Sequence, residues 1–137
     1  MKIKLFHENV KLPTKSHADD AGWDLYLPQA ITIKPLETIC VGFGVGFQIP
    51  KGYAGIFVPR SSVAKKGLII APAIVDCGYT GETHLILTNC SNKSYRFEQG
   101  DRLCSMVVLK MLTENLELTN DLGISERGEN GLGSSGK

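Results

Sequence analysis

The chain has 137 residues, a mass of 14.9 kDa, a net charge of +1 and a pI near 7.7, so no second domain needs to be sought and the basic field of a nucleic-acid binder is missing. Nowhere do about 18 apolar residues run together, and the apolar stretch between Met1 and Phe6 is too short for a signal peptide; a soluble, intracellular, cytoplasmic protein with no membrane partner is expected. The cysteines Cys40, Cys77, Cys90 and Cys104 form no CxxC pair and read as reduced thiols in apolar or strand-like contexts.

Short strands follow one another along the chain. Ile3 to Leu5, Trp23 to Leu27, Ala30 to Ile33, Tyr53 to Val58, His84 to Asn89 and Arg102 to Leu109 have strand-like composition, and Pro28, Lys34-Pro35, Pro50-Lys-Gly52, Cys90-Ser-Asn-Lys93 and Glu98-Gln-Gly-Asp101 punctuate them as turns. Val41, Phe43, Val45, Phe47 and Ile49 alternate with Gly42, Gly44, Gly46 and Gln48. This period of two predicts a twisted strand with one buried face, its glycines admitting a neighbouring backbone or subunit. Only Ser61 to Gly67 reads as helix, with a serine to cap its start and a glycine to stop it. Many short strands without a long helical period predict an all-β sandwich or barrel.

The candidate chemistry lies in the turns. Ala73, Ile74 and Val75 read as a strand heading into the core, so a carboxylate at Asp76 has to be hydrogen-bonded, paired or working. Tyr79, between Gly78 and Gly81, adds a flat aromatic face, and the pair suits a small ligand with one ring and one polar centre. The plainer alternative is an aspartate that caps its own turn. At the start of the helix Arg60, Ser61 and Ser62 bring a guanidinium, hydroxyls and free backbone N–H groups together, which either makes an anion site or is an ordinary capped helix beside an exposed arginine. Asp24 and Asp101 have the same bland option of turn acids, Asp101 paired with its neighbour Arg102.

His7, His17 and His84 have no ligand spacing to one another or to the cysteines, so no protein-built metal site is expected, and Cys77 reads as packing. From Thr113 the composition turns polar, and the glycine-rich end cannot pack a core. Gly131 to Lys137 fits the spacing GxxxxGK of a P-loop but lacks the Ser or Thr that must follow the lysine. What remains is an arm whose amides can close over phosphates with Arg127 as its cation, or a disordered terminus.

Five segments in order, Ala21-Gly-Trp-Asp-Leu25, Pro59-Arg-Ser-Ser-Val-Ala-Lys-Lys-Gly67, Ile74-Val-Asp-Cys-Gly-Tyr-Thr-Gly-Glu82, Gly100-Asp-Arg102 and Arg127-Gly-Glu-Asn-Gly-Leu-Gly-Ser-Ser-Gly136, resemble the five motifs of the trimeric dUTPase family. The resemblance implies one domain over 1–137, with 113–126 as linker and 127–137 as a C-terminal lid. It implies a β-clip or distorted jelly-roll barrel, one short helix, and a homotrimer with shared active sites and an exchanged C-terminal arm. The implied reaction is hydrolysis of dUTP to dUMP and pyrophosphate, which limits uracil incorporation into DNA and supplies dUMP for dTMP synthesis.

Residue by residue, the resemblance makes Asp76 the catalytic base for water attack on the α-phosphorus and Tyr79 the platform that leaves no room for a ribose 2′-hydroxyl. Main-chain groups from Ile70 to Val75, Ile74 among them, would read uracil. Arg60, Ser61 and Ser62 would bind phosphate, Arg127 the γ-phosphate, and Leu132, Gly133, Ser134 and Ser135 would form the lid. Asp24, Asp101 and Ser105 would support. Mg²⁺ would be held chiefly by the triphosphate and waters, with no direct protein ligand and Asp24 acting through water. Leu132 stands where the family usually has a uracil-stacking phenylalanine, Ser105 where a glutamine usually contacts phosphate, and Gly78 where a second aspartate is common. A dUTP-gated binding protein and, less favoured, a dCTP deaminase are the alternatives on the same fold.

Overall fold

A computed structural model describes residues 1–128, which hold eleven strands and one four-residue helix. The strands are β1 (Lys2–Leu5), β2 (Gly22–Tyr26), β3 (Ile31–Ile33), β4 (Thr38–Gly42), β5 (Val45–Gln48), β6 (Tyr53–Pro59), β7 (Leu68–Ile70), β8 (Ile74–Val75), β9 (His84–Asn89), β10 (Tyr95–Phe97) and β11 (Arg102–Lys110), with the helix α1 (Ser61–Ala64) between β6 and β7. They form a four-stranded sheet in the order β2-β11-β6-β8, a three-stranded sheet β4-β9-β7, and two ribbons, β1-β5 and β3-β10. Each strand pair is antiparallel, and most neighbours are distant in sequence, which is the long-range pairing of a jelly-roll arrangement.

The core lies between the two larger sheets. Phe57, Leu103 and Met106 enter it from one side and Val41, Leu68, Leu85 and Leu87 from the other, with Phe43 and Phe57 edge-to-face at 6.1 Å. Asn89 is a fully buried polar residue. Its amide donates to the Lys34 carbonyl at 2.9 Å and the Lys93 carbonyl at 2.7 Å and its oxygen accepts from the Ser91 amide at 3.0 Å, so its burial carries no unpaired polar group.

Two expectations change. The alternating run from Val41 to Ile49 does bury all five alternate residues, but it is two strands, because Gly44 adopts φ +66° and turns the chain between β4 and β5. A Cβ on Gly44 would lie 2.3 Å from Val10, so the turn and its packing both need glycine. The helix keeps only four residues, and its N-cap is Arg60 with no side-chain cap bond, so the serine cap does not form. Gly67, at φ +77°, ends the segment as read from the sequence. Strands β7 and β10, of three residues each, are not among the strands expected from the sequence.

Candidate active site

Two groups of side chains stand out. The first is built on the paired strands β2 and β11, whose register sets Ser105 opposite Asp24. Asp24 is nearly buried at 9% exposure and therefore needs partners. Ser105 Oγ donates to its Oδ1 at 2.7 Å, Arg102 donates to its Oδ2 at 2.7 Å, and Arg60 Nε lies 3.9 Å from Oδ1. One carboxylate therefore holds two guanidiniums side by side, leaving a local excess of positive charge at the start of α1, where Ser61 and Ser62 follow Arg60. The first N–H groups of a helix have no intrahelical acceptor, and here these two serines supply them. The arrangement is suited to an anion with several oxygens.

Arg102 was not among the site residues expected from the sequence. Its signal was the neighbouring Asp101, read as its partner; instead the Asp101 carboxylate accepts the Glu98 amide at 2.8 Å and closes its own turn, freeing Arg102 to reach Asp24 across the strand pair. Ser105 likewise points at Asp24.

The second group lies around the hairpin after β8. A cleft of about 250 Å³ is floored by Phe57 and walled by Ile74, Val75, Asp76, Tyr79 and His84. Val75 is buried, but Asp76 emerges exposed, so it is no buried carboxylate at a strand end. Nor does its carboxylate cap its turn: the turn is closed by the Tyr79 amide donating to the Asp76 carbonyl at 3.1 Å, and no hydrogen bond to the carboxylate occurs among the described residues. Gly78 takes φ +121°, which no other residue adopts without strain, and this reverses the chain directly after Cys77. Cys77 is exposed, so it does not pack as expected.

Tyr79 is held at both ends. Its hydroxyl donates to the Glu82 carbonyl at 2.7 Å, and the ring passes so close over Gly81 that a Cβ there would sit 2.6 Å from the hydroxyl oxygen. Glu82 was missed by sequence reasoning although it sits in the quoted segment; its Oε1 accepts the Gly44 amide at 2.7 Å and so ties the hairpin to the β4–β5 turn. A flat ring in fixed orientation beside a solvent-facing carboxylate can stack a sugar or base and activate a water.

Ile70 is buried in β7 and does not line this cleft. Nor do Arg60, Ser61 or Ser62. Phe57 faces the core while its neighbour Val58 pairs with Ser105 on the opposite face of the sheet, and neither Asp24, Ser105 nor Arg102 lines the cleft, so the two groups do not share one lining in a single chain. Arg127 is exposed in a turn over Ser125 to Gly128 beyond β11, and Leu132, Gly133, Ser134 and Ser135 lie outside the described residues. Among the described residues no group of three or more His, Cys, Asp or Glu side chains stands together as metal ligands, and no helix is long and apolar enough to cross a membrane.

A family model described as dUTPase matches residues 8–136. The deoxyuridine 5′-triphosphate nucleotidohydrolase of Clostridium tetani is 35% identical to this chain, covering 100% of it and 97% of its own length. That of Saccharomyces cerevisiae is 34% identical, covering 99% and 94%. Among solved structures, the dUTPase of Staphylococcus bacteriophage 80alpha with dUpNHpp superposes with a TM-score of 0.93 at 28% identity, covering 99% of this chain and 98% of that one, and the phage enzymes are described there as controlling transfer of virulence genes by a G protein-like mechanism. The dUTPase of phage phi11, described with a structural Mg(II) ion, shares the fold with a TM-score of 0.83 at 24% identity over 88% of this chain and 97% of its own. With a match over nearly its whole length and relatives of the same extent, the chain belongs to the dUTPase family.

Proposed function

We propose that this chain hydrolyses dUTP to dUMP and pyrophosphate, with Asp76 as the base that takes a proton from the water attacking the α-phosphorus. The observation that carries this is the cleft in which the Asp76 carboxylate, without a hydrogen bond among the described residues, stands beside the fixed ring of Tyr79. In this reading Tyr79, which lines the cleft, lies under the deoxyribose and refuses a 2′-hydroxyl, and the main chain of Ile70 to Val75, with Ile74 and Val75 at the cleft wall, supplies the donors and acceptors that choose uracil. Arg60, Ser61 and Ser62 bind the phosphates, with the Arg60 guanidinium paired to Asp24, itself oriented by Ser105 and Arg102; Asp101 acts through the turn that aims Arg102.

The donors near the anion cluster are guanidiniums and hydroxyls, a set that grips phosphate oxygens rather than a metal. Mg²⁺ brought with the triphosphate would supply positive charge against the leaving pyrophosphate, with Asp24 as its indirect protein support. Asp24, whose oxygens have lone pairs beyond the bonds already made, is the carboxylate that could meet a metal-bound water.

Because the anion-cluster residues do not line the cleft of the same chain, we assign the complete site to a homotrimer in which neighbouring chains supply the two halves. Residues 113–126 act as a linker and 127–137 as a lid, bringing Arg127, Leu132, Gly133, Ser134 and Ser135 over the triphosphate of a soluble, cytoplasmic enzyme.

The test is pyrophosphate release by the purified protein with Mg²⁺ from dUTP, UTP, dTTP and dCTP. Release from dUTP with negligible turnover of the others is expected; no release from dUTP sinks the proposal. One observation favours a second reading, a nucleotide-gated binding protein: the 28% identical phage 80alpha enzyme is described with a G protein-like mechanism. A partner captured only in the presence of dUpNHpp would support it, and capture indifferent to nucleotide would count against it.

A further inference from the structure

His84 opens β9 and shares the cleft with Asp76 and Tyr79, with its side chain 48% exposed. Its Nδ1 lies 3.0 Å from the Glu82 carbonyl oxygen, the same oxygen that accepts the Tyr79 hydroxyl at 2.7 Å. A carbonyl can only accept, so Nδ1 carries the proton. In the neutral ring Nε2 is therefore a lone-pair acceptor. The nearest carboxylate oxygen to it, Glu82 Oε2, is 3.9 Å away, too far for a hydrogen bond, and is itself acceptor-only when ionised. Tyr79 and His84 thus converge on one carbonyl, and the imidazole edge stands next to the hydroxyl end of the tyrosine with an acceptor that receives no hydrogen bond among the described residues.

We propose that His84 is a specificity-determining residue whose Nε2 accepts a hydrogen bond from a donor group of the bound nucleoside; the proposal rests on the dUTPase reading of the cleft. A deoxyuridine offers two donors on its edges, the sugar 3′-hydroxyl and the base N3–H. The Glu82 carbonyl fixes the ring from behind and selects the tautomer, so the acceptor is aimed before substrate arrives. Cytosine has a lone pair in place of N3–H, so an acceptor at that edge also disfavours it.

The experiment is a substrate-by-mutant cycle. Wild type, His84→Asn and His84→Ala are assayed for kcat/KM with dUTP, with 2′,3′-dideoxyuridine triphosphate, and with the N3-methyl analogue of dUTP. Asparagine keeps an N–H donor for the Glu82 carbonyl and has no acceptor at the Nε2 position, so it separates the lock from the contact; melting curves confirm that both variants fold. In one arm the penalty for removing the donor should be roughly three- to tenfold smaller in both variants than in wild type, the size of one hydrogen bond. A changed penalty in the dideoxy arm assigns the contact to the sugar, and in the N3-methyl arm to the base. Unchanged penalties in both arms overturn the proposal. Turnover of dUTP by wild type in the same assay shows that the parent reading stands even if this one falls.

Discussion

Asp76 owes nothing to the fold and, as proposed here, everything to the chemistry. It is exposed and its carboxylate accepts no hydrogen bond among the described residues, so Asp76→Asn should change stability by no more than about 0.5 kcal/mol. Loss of a general base lowers kcat by roughly 10²- to 10⁴-fold with little change in KM. Pyrophosphate release alongside a melting curve checks both halves, and retention of full kcat would remove Asp76 from the mechanism. Cys104 is the opposite case: its thiol is pushed up to about 12, mainly by burial and further by the Asp24 carboxylate. Below its ordinary value of 9.0 both folded and unfolded chains hold the proton, and the thiol has no effect on pH dependence. Between there and about 12 only the unfolded chain releases it, so stability falls by about 1.4 kcal/mol per pH unit. Cys104→Ala should show a shallower fall in urea-unfolding free energy from pH 9 to 11, and an identical slope would contradict the assignment.

At the scale of elements, the hairpin after β8 works because its glycines let side chains close over backbone. Gly81→Ala places a Cβ 2.6 Å from the Tyr79 hydroxyl, so the ring must swing away and its bond to the Glu82 carbonyl breaks. The hairpin should survive, since the ring is 46% exposed and has room to move, but the sugar platform should not. The kcat/KM ratio of dUTP to UTP is expected to fall about tenfold or more, the scale of a lost steric and hydrogen-bonded selection. A ratio equal to wild type would show that Tyr79 does not gate the sugar. Much of this hairpin was legible beforehand, because Asp, Tyr and closely spaced glycines announce a turn with a ring and an acid. Its lock was not: Glu82 reaches the Gly44 amide, a contact that depends on which strands pair, and His84 meets Tyr79 through a shared carbonyl, a local contact set by the backbone conformation of the turn. The same blindness hid Arg102, whose partner Asp24 is 78 residues away. Period-two patterning found one-sided burial from Val41 to Ile49 but not the Gly44 turn within it, since alternation is unchanged when a strand bends without slipping register.

For the whole molecule the remaining question is what covers the outer face of the four-stranded sheet. Register places Val58 opposite Ser105, Ile56 opposite Val107 and opposite Ile74, and Ala54 opposite Leu109, so these apolar side chains share one face. Val58, Leu109 and Ile74 remain 44%, 46% and 59% exposed there, an apolar patch adjoining the Asp24 and Ser105 cluster. Leu116, Leu118, Leu122 and Ile124, in the extended segment beyond β11, are also bare on a single chain. Burying the sheet face against copies of the chain removes that apolar surface from water and brings a neighbour's groups to the anion cluster, which the proposed shared site requires. Wild type should therefore run in light scattering at three times 14.9 kDa. Val58→Asp with Leu109→Asp puts two charges on this face without touching Asp76, Tyr79 or Arg60. The variant should retain a β-sheet circular dichroism spectrum, sediment as a single chain and lose at least about 100-fold in dUTP turnover, the cost of separating groups that must be positioned together. A monomeric variant with wild-type kcat would mean that one chain holds a complete site, and the assignment of cleft and anion cluster to different subunits would fall with it.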